Sequence, residues 1–403
     1  MNPGIASESL IRPSSLHPIL QPSATSVSGD QVLSDSGRQV IDLASGEPSF
    51  ASPPSATKAA AEALAAGYTH YTPSAGIGQL RKALAEKLTQ VNKVVVSDEG
   101  VIVTPSAKYA LFLAFRAVLD VGDEIIVPYP AWVSFEPMAQ IIGARVIRWN
   151  LSEDSGFRPE ASALEKLVGP RTRAILINSP SNPTGVVFSR EELEGIISVA
   201  EKHSLAIISD EVYEGVVFGQ TEHVSPASIE GAAERTITVG GFSKAFAMTG
   251  WRSRWKPGPH PIVEFCRRIQ EHTATCASSF GQIGALAALQ NRSEVLPMLG
   301  TYESNYRALR SGLRAVADVD CPEPQGGFYL FPSVPARIRG ARSTQAWLLE
   351  EFGILGVSGS AFSPELEHRV RLSFAASETA ILEASERLTN NSAGRSSLPS
   401  AAD

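Results

Sequence analysis

Residues 236–252 read Thr-Ile-Thr-Val-Gly-Gly-Phe-Ser-Lys-Ala-Phe-Ala-Met-Thr-Gly-Trp-Arg, a short apolar run followed by a turn. The first four residues are all β-branched, which predicts a buried β-strand. Lys244 comes soon after this strand, with the hydroxyl of Ser243 before it and the guanidinium of Arg252 eight positions later. A lone lysine is usually a surface side chain that extends its ammonium group into water. A desolvated lysine at a strand end is also the residue that forms a Schiff base.

The same order of apolar strand, polar loop and helix recurs from residue 100 onward. The predicted strands are 101–103, 124–127, 174–177, 205–208 and 236–239. Nearly continuous apolar strands that alternate with helices predict an α/β fold, with a mostly parallel sheet between two layers of helices. Ligands of such sheets bind at the carboxyl ends of the strands. The unusual polar residues of this chain follow these strand ends, which indicates a functional site at that edge.

A Schiff-base lysine that holds pyridoxal phosphate (PLP) needs a buried carboxylate, because the cofactor is an electron sink only while its ring nitrogen stays protonated. Asp210 follows the strand 205–208 and is the candidate. Asn182 and Tyr213 follow neighbouring strands and could donate to the ring oxygen. Trp132 could cover the face of the ring.

The phosphate of the cofactor needs amide groups at a helix N-terminus and a cation. Ser106 and Ala107 begin a predicted helix, and Ser243 and Arg252 flank Lys244. Taken singly, these residues have ordinary explanations. An aspartate after a strand is typical of a turn or helix cap, Asn-Pro-Thr-Gly is typical of a tight turn, and a tryptophan is typical of a packed core.

Four motifs together resemble one family. They are Ser179-Pro-Ser-Asn-Pro-Thr-Gly185, Ser209-Asp-Glu-Val-Tyr213, Ser243-Lys-x-x-x-Met-x-Gly-Trp-Arg252 and Arg369-Val-Arg-Leu-Ser-Phe374. In this order they are similar to the motifs of the fold-type-I PLP enzymes, specifically the class I/II aminotransferases of aspartate aminotransferase type. The resemblance covers roughly residues 40 to 385, and the motif around Lys244 is the most specific of the four.

The resemblance implies roles for the residues around the cofactor. Lys244 would form the Schiff base and then move a proton, Asp210 would hold the pyridinium, and Tyr213 would bind the ring oxygen together with Asn182. Trp132 would stack on the ring and also contact the substrate. The phosphate would be bound by Ser106, Ala107, Lys108, Ser243 and Arg252, joined by Tyr71 from the other subunit of a homodimer.

The resemblance also implies a substrate site. Arg371 would bind the substrate α-carboxylate with two hydrogen bonds, near the backbone of Gly46 and the amide of Asn182. Lys108 matches a lysine that contacts the distal carboxylate of acidic substrates. The expected reaction is therefore transfer of an α-amino group between an L-amino acid, with aspartate or glutamate favoured, and a 2-oxo acid such as 2-oxoglutarate.

The fold that the resemblance implies is a large domain with a mostly parallel seven-stranded sheet sandwiched by helices, plus a smaller α+β domain from the N- and C-terminal segments. The expected divisions are an N-terminal arm and part of the small domain at 1–58, and the PLP-binding domain at 59–299. The small domain continues at 300–389, and 390–403 forms a disordered tail. We expect no metal.

The composition of the chain disfavours several classes of partner and location. The chain of 403 residues carries 35 Lys and Arg against 42 Asp and Glu, a net charge of −7, which disfavours nucleic acid and anionic membranes as partners. No apolar run is long enough to span a membrane. Three cysteines are too few for a disulfide framework. The first forty residues lack the pattern of a signal peptide, so we expect a cytoplasmic protein.

Two other functions fit the same scaffold. One is a PLP-dependent lyase or replacement enzyme, for example one that eliminates from S-adenosylmethionine as 1-aminocyclopropane-1-carboxylate synthase does. Departures from the family pattern at Ser253-Arg254-Trp255 and Glu271-His-Thr-Ala-Thr-Cys276 leave room for a specialised substrate. The other is a non-catalytic sensor like the aminotransferase-like half of some transcription regulators, which is disfavoured because no basic DNA-binding module precedes the fold.

Overall fold

The computed structural model describes residues 39–252 and 254–395. Twelve strands lie within these ranges. They are β1 Ile41–Asp42, β2 Val101–Thr104, β3 Glu124–Tyr129, β4 Arg145–Asn150, β5 Thr172–Asn178, β6 Ala206–Asp210, β7 Thr236–Gly241, β8 Arg254–Pro257, β9 Tyr329–Leu330, β10 Ile354–Leu355, β11 Val357–Ser358 and β12 Val370–Ser373.

Thirteen α-helices lie in the same part of the chain. They are α1 Pro54–Ala65, α2 Gly78–Gln90, α3 Ala107–Val118, α4 Phe135–Ile142, α5 Ala161–Glu165, α6 Arg190–Lys202, α7 Phe242–Ala245, α8 His260–Thr273, α9 Ser279–Gln290, α10 Leu296–Ala315, α11 Ala336–Arg339, α12 Thr344–Phe352 and α13 Glu378–Arg395. No helix among the described residues combines the length and apolarity needed to cross a bilayer.

Seven strands form the large sheet in the order β2-β8-β7-β6-β5-β3-β4. All of them run parallel except β8, which pairs antiparallel with both β2 and β7. The predicted mostly parallel seven-stranded sheet is therefore confirmed. Strand β4 was not predicted from the sequence, because its partly exposed residues break the apolar run. The four-residue β8 was not predicted either, because it forms a strand only by pairing with its two neighbours.

Both faces of the large sheet are buried, which explains why its strands are almost continuously apolar. Side chains alternate between the faces along a strand. On β3, Ile125 and Val127 pack in one core cluster while Ile126 packs in another. On β5, Leu176 packs in the same cluster as Ile125, and Ile177 packs in the same cluster as Ile126. The sheet is thus the rigid middle layer between two layers of helices, and its strand ends hold their loops at fixed positions.

A smaller α+β part combines both ends of the described chain, as predicted. The segment β1 pairs parallel with β10, and β12 lies antiparallel between β11 and β9. Ile41 and Leu43 share one buried cluster with Leu372 and Phe374. This packing brings β1, which precedes the large sheet in the chain, next to β12, which follows it.

The last described helix extends further than the sequence indicated. Helix α13 continues to Arg395, past the predicted start of the tail at residue 390. Ile381, Ala384 and Leu388 are buried against the small core and recur at helical spacing, which supports the helix up to its last turns. Residues 396–403 of the predicted tail lie outside the described residues. The domain boundaries at 58/59 and 299/300 stay predictions.

Candidate active site

Three neighbouring strands end side by side at the carboxyl edge of the large sheet. Asn178 at the end of β5 is in register with Asp210 at the end of β6, and Asp210 is in register with Val239 of β7. The chain segments that follow these strands line one part of a cavity of about 480 Å³, and segments from other parts of the chain complete it. Its lining includes Gly46, Ser106, Ala107, Lys108, Trp132, Asn182, Asp210, Tyr213, Ser243, Lys244, Arg252 and Arg371.

Lys244 reaches this cavity from the short helix α7. Its Nζ donates a hydrogen bond of 2.5 Å to the carbonyl of Gly46 and lies 5.6 Å from the centre of the Phe328 ring. The side chain is half-buried, so it is not a lysine extended into bulk water. The contact with Gly46 joins the end of the large sheet to the loop after β1, since Gly46 follows that strand by only a few residues.

The turn after α7 has an unusual backbone. Ala247 and Arg252 have φ angles of 49° and 56°, in the left-handed region that non-glycine residues rarely occupy. Such a conformation costs on the order of 1–3 kcal/mol and persists only where the surroundings enforce it. Ser243 is buried, and its hydroxyl donates to the carbonyl of Met248 at 3.4 Å. The turn therefore places the Arg252 guanidinium at the cavity.

The N-terminus of α3 forms another wall of the cavity. Ser106 is the N-cap, and its hydroxyl oxygen accepts a hydrogen bond of 2.9 Å from the amide of Tyr109. The first amides of a helix and its dipole favour an anion at this end. Lys108 is exposed at the mouth of the cavity, and partial desolvation and the positive charge of Arg252 lower the pKa of its ammonium group. Two cations and a helix N-terminus thus converge.

Arg371 on β12 is almost fully buried, with 1 % of its surface exposed. Its Nη1 donates to Asn182 Oδ1 at 3.0 Å and its Nη2 donates to the carbonyl of Ala44 at 2.7 Å. Its Nε is buried and has no hydrogen-bond partner among the described residues. A buried guanidinium held by neutral acceptors, with one donor unsatisfied, is suited to receive a carboxylate.

Two tyrosines, Tyr213 and Tyr329, line the cavity together with Arg371. The hydroxyls of Tyr213 and Tyr329 are 2.9 Å apart, and both side chains are buried. Burial and the neighbouring hydroxyl of Tyr329 raise the pKa of Tyr213 well above its usual value, so Tyr213 stays a neutral donor. Asp210 is also buried, and its Oδ1 accepts from the amide of Val212 at 3.4 Å.

Tyr329 lines the cavity, although no role was predicted for it from the sequence. Its segment, Gln325-Gly-Gly-Phe-Tyr-Leu-Phe, contains no charged residue that would indicate a binding site. Asn178 was missed as well, and its side-chain oxygen accepts the Asn182 amide at 3.0 Å. Tyr329 becomes recognisable only when segments distant in the chain are packed together, since its hydroxyl meets that of Tyr213.

Of the two remaining predicted aromatic residues, Trp132 lies in the cavity and Tyr71 lies outside it. Trp132 lines the cavity, is partly buried, and has the Lys108 ammonium 5.2 Å from the centre of its ring. Tyr71 does not reach the cavity of its own chain, and 85 % of its surface is exposed. This placement agrees with a residue expected to act in another subunit, and that role stays a prediction.

The segment Ser253-Arg254-Trp255, which departs from the family pattern, lies at and just before β8. Ser253 lies outside the described residues, and the backbone of Arg254 in β8 pairs with Thr104 and Gly241. Trp255 is buried against Gly240, where any side chain would overlap its ring. Trp255 is therefore a packing residue of the sheet. The specialised substrate that these departures leave room for stays a prediction.

A larger cavity of about 540 Å³ lies between the two parts of the molecule. Arg158 and Arg369 reach it, but each is already paired with a carboxylate, Glu192 at 3.1 Å and Glu153 at 2.8 Å. The 480 Å³ cavity differs because it contains the lysine and the unsatisfied guanidinium. Fold and site together define the class: an α/β protein whose cavity at the carboxyl edge of the sheet offers a lysine amine and a buried arginine guanidinium.

The chain belongs to the family "Aminotransferase class I and II", whose sequence profile matches residues 38–388. It is 37% identical to the aspartate/prephenate aminotransferase of Thermus thermophilus over 378 residues, which is 91% of this chain and 95% of that protein. It is 36% identical to an aspartate aminotransferase of Musicola paradisiaca over 355 residues, which is 87% of this chain and 89% of that protein.

Solved structures agree with this assignment. An aspartate aminotransferase of Thermus thermophilus with maleate superimposes with a TM-score of 0.88 at 35% identity, covering 95% of this chain and 100% of that one. An aromatic aminotransferase from Pyrococcus horikoshii gives a TM-score of 0.84 at 36% identity, covering 91% and 99%. The fold is that of the fold-type-I enzymes, and the protein is an aminotransferase of the aspartate aminotransferase-like class, a family that implies PLP as cofactor.

Proposed function

We propose that this protein binds PLP through Lys244 and transfers the amino group of an acidic L-amino acid to a 2-oxo acid. The observation that carries the proposal is one cavity lined by both Lys244 and Arg371, a buried guanidinium whose Nε has no hydrogen-bond partner among the described residues. One group binds an aldehyde covalently and the other binds a carboxylate. An α-amino acid placed between them presents its Cα to the lysine.

The residues around Lys244 suit PLP by their chemistry. When bound, the cofactor withdraws electrons from the substrate Cα and so stabilises the carbanion left when the Cα proton is removed. The Asp210 carboxylate is buried at the end of β6 and would keep the ring nitrogen protonated. Asn182 and the neutral Tyr213 would donate to the ring oxygen, and the partly buried Trp132 would cover the ring face.

The phosphate group has a separate binding region. The N-terminus of α3, with Ser106, Ala107 and Lys108, would supply amides and a favourable dipole. Ser243 and Arg252 would complete this region from the turn after α7. The cost of the left-handed backbone at Arg252 is offset if the guanidinium gains a charged partner there.

Arg371 would hold the α-carboxylate of the substrate, and Lys244 would move the proton at Cα. The Asn182 amide and the backbone around Gly46 keep both groups in position, because Asn182 accepts from Arg371 and Gly46 accepts from Lys244. Since Arg371 is held from two sides before a substrate arrives, little of the binding energy is needed to order it.

The charge of the cavity favours an acidic substrate. Four cationic side chains line it, Lys108, Lys244, Arg252 and Arg371, against the two acidic side chains Glu47 and Asp210. Lys108, exposed at the mouth of the cavity, would contact the distal carboxylate. The names of the aspartate aminotransferase relatives also favour an acidic substrate. An aromatic or prephenate-type substrate is the second candidate, since two relatives are named for such activities.

We also propose a homodimer in which Tyr71 reaches the phosphate region of the partner. Tyr71 is 85 % exposed, and Tyr68 and Phe280 are further exposed aromatic side chains. Aromatic residues are enriched at protein–protein interfaces. A cytoplasmic location stays a prediction from the low number of cysteines.

The test is a spectroscopic screen of the purified holoenzyme with single amino acids and single 2-oxo acids. L-Aspartate and L-glutamate should bleach the visible cofactor band, and 2-oxoglutarate should restore it. Bleaching by aromatic amino acids alone would favour the second candidate. If no amino acid changes the band, or if a thioether is released without a 2-oxo acid, the transamination assignment is wrong.

Covalent attachment is tested without an activity assay. Borohydride reduction followed by peptide mass mapping should place the cofactor on the peptide that contains Lys244. The Lys244→Ala variant should remain folded, lose the visible band and lose turnover by at least about 10³-fold, since it lacks both the attachment point and the proton-transfer group. Modification of another lysine in the wild type would contradict the assignment.

A further inference from the structure

Tyr329 lies where the cofactor and substrate regions of the cavity meet. It is on β9, which pairs antiparallel with β12, and 2 % of its surface is exposed. The Arg371 guanidinium carbon is 4.4 Å from the centre of the Tyr329 ring, within the range of a cation–π contact. The same ring meets Tyr213 edge-on, with centres 5.8 Å apart and planes at 78°.

The hydroxyl of Tyr329 is the second observation. It lies 2.9 Å from the Tyr213 hydroxyl, and either oxygen can be the donor. A tyrosine hydroxyl has one proton. If Tyr213 donates that proton to the cofactor ring oxygen, the bond between the tyrosines must be donated by Tyr329. Hydrogen bonds in such a chain strengthen one another.

The loop after β1 leaves room for this arrangement. A side chain at Gly46 would overlap the Tyr329 hydroxyl. The carbonyl of the same glycine accepts from Lys244, and the carbonyl of Ala44 accepts from Arg371. Tyr329 therefore contacts Tyr213 and Arg371 directly. It also lies next to Gly46, whose carbonyl holds Lys244.

We propose that Tyr329 is a positioning residue: its hydroxyl donates to Tyr213 and directs the Tyr213 proton toward the cofactor ring oxygen, while its ring holds the Arg371 guanidinium in place for the substrate carboxylate. The inference rests on the proposed function. It links the electronic state of the cofactor to the carboxylate site through one side chain that does not itself contact the reacting atoms.

The two roles are separated by two variants of the holoenzyme. Tyr329→Phe keeps the ring and removes the hydroxyl, and Tyr329→Leu removes both. The readouts are the pH titration of the visible cofactor band and the Kd of maleate, a dicarboxylate that carries no amino group. Tyr302→Phe is the matched control, because Tyr302 is a fully buried tyrosine of the same core whose hydroxyl has no partner among the described residues.

In Tyr329→Phe the pH midpoint of the band should rise by about 0.5 unit, because a weaker donor from Tyr213 leaves more negative charge on the ring oxygen and favours the protonated chromophore. The Kd of maleate should stay within about twofold of wild type, since the ring remains. In Tyr329→Leu the Kd should rise by at least about threefold. Tyr302→Phe should change neither readout.

A wild-type midpoint in folded Tyr329→Phe would overturn the role of the hydroxyl, and a wild-type Kd in Tyr329→Leu would overturn the role of the ring. The phenylalanine variant conserves volume, so the proposal stays testable even if the leucine variant does not fold. Failure of the proposed function gives a different result: the wild-type protein itself would then show no cofactor band and no response to maleate.

Discussion

Arg371 illustrates how a single residue indicates a ligand. A buried charge is costly unless it is paired, and cations in protein interiors are therefore normally matched with carboxylates. Arg369, two positions earlier on the same strand, follows this rule through Glu153, which accepts from its Nε at 2.8 Å. Arg371 contacts only neutral acceptors within the described chain and keeps its Nε unsatisfied. The missing negative charge is the one that a substrate would supply.

We predict that Arg371→Lys raises the Kd of maleate by about tenfold or more, because lysine provides a point charge without the fork of donors and a hydrogen bond to a charged group is worth about 1.5–3 kcal/mol. Arg369→Lys is the matched control: it should lower the unfolding midpoint and leave the Kd within about twofold. Spectral titration of the two variant holoenzymes with maleate measures the Kd values. Equal effects of the two substitutions on the Kd would contradict the carboxylate role of Arg371.

At the scale of elements, α2 is joined to the segment after β6 by a buried ion pair. Lys87 and Asn92 both donate to the Glu214 carboxylate. Burial by itself raises the pKa of Glu214, but the charge of Lys87 and the hydrogen bonds outweigh it and hold the pKa below its usual value. Glu211 and His223 lie in the same cluster, 2.9 Å apart. The segment that carries Asp210 and Tyr213 is thus anchored from outside the cavity.

We predict that Glu214→Gln lowers the free energy of unfolding at pH 7 by about 3–5 kcal/mol, because Lys87 is then buried without a counter-charge. Since the folded-state pKa of Glu214 is depressed, its stabilisation is present above the unfolded-state value of about 4.3 and is lost as the pH falls through the folded-state pKa. The difference from wild type should therefore shrink in acid. Urea denaturation at pH 7 and at pH 4 measures it.

The control for this experiment is Glu62→Gln. Glu62 faces Lys58 at 4.0 Å on the surface of α1, with both side chains largely exposed, so its loss should change stability little at either pH. A similar small effect for Glu214→Gln would show that the buried pair does not anchor the segment.

At the scale of the whole molecule, charge is distributed unevenly. The chain carries a net charge of −7, yet its proposed active site has four cationic side chains against two acidic ones. An acidic surface with a locally positive cavity attracts small anions into the cavity and not to the surface in general. The sites of a proposed dimer would in addition depend on the partner, because Tyr71 lies outside the cavity of its own chain.

Mixed dimers test this dependence. A dimer of one Lys244→Ala subunit and one Tyr71→Ala subunit contains one site with Lys244 and Tyr71 both intact, if Tyr71 acts in the partner. Differently tagged, co-expressed subunits should therefore recover about half of the wild-type activity and cofactor retention. Tyr68→Ala, a neighbouring half-exposed tyrosine, should leave retention unchanged as a homodimer. Activity equal to the mean of the two parent dimers would place Tyr71 outside the partner site.

Much of the site could be predicted because its residues follow buried strands. The apolar runs before Asp210 and Lys244 are local patterns, and parallel strands bring their carboxyl ends to the same edge. Tyr329 and β8 could not be predicted in this way, because Tyr329 lies on a two-residue strand and β8 depends on pairing with β2 and β7. Asn178 does follow a predicted strand, and only its hydrogen bond to Asn182 shows its role.

The sequence alone determined the layered α/β fold, the family and the types of group available for chemistry, because strand periodicity and motif spacing are local properties of the chain. Only the tertiary structure decided that Lys244 donates to Gly46, that Arg371 is buried with an unsatisfied Nε, and that Tyr329 connects Tyr213 to Arg371. These contacts join segments far apart in the chain. They arise from the packing of the small core against the large sheet, which no local pattern encodes.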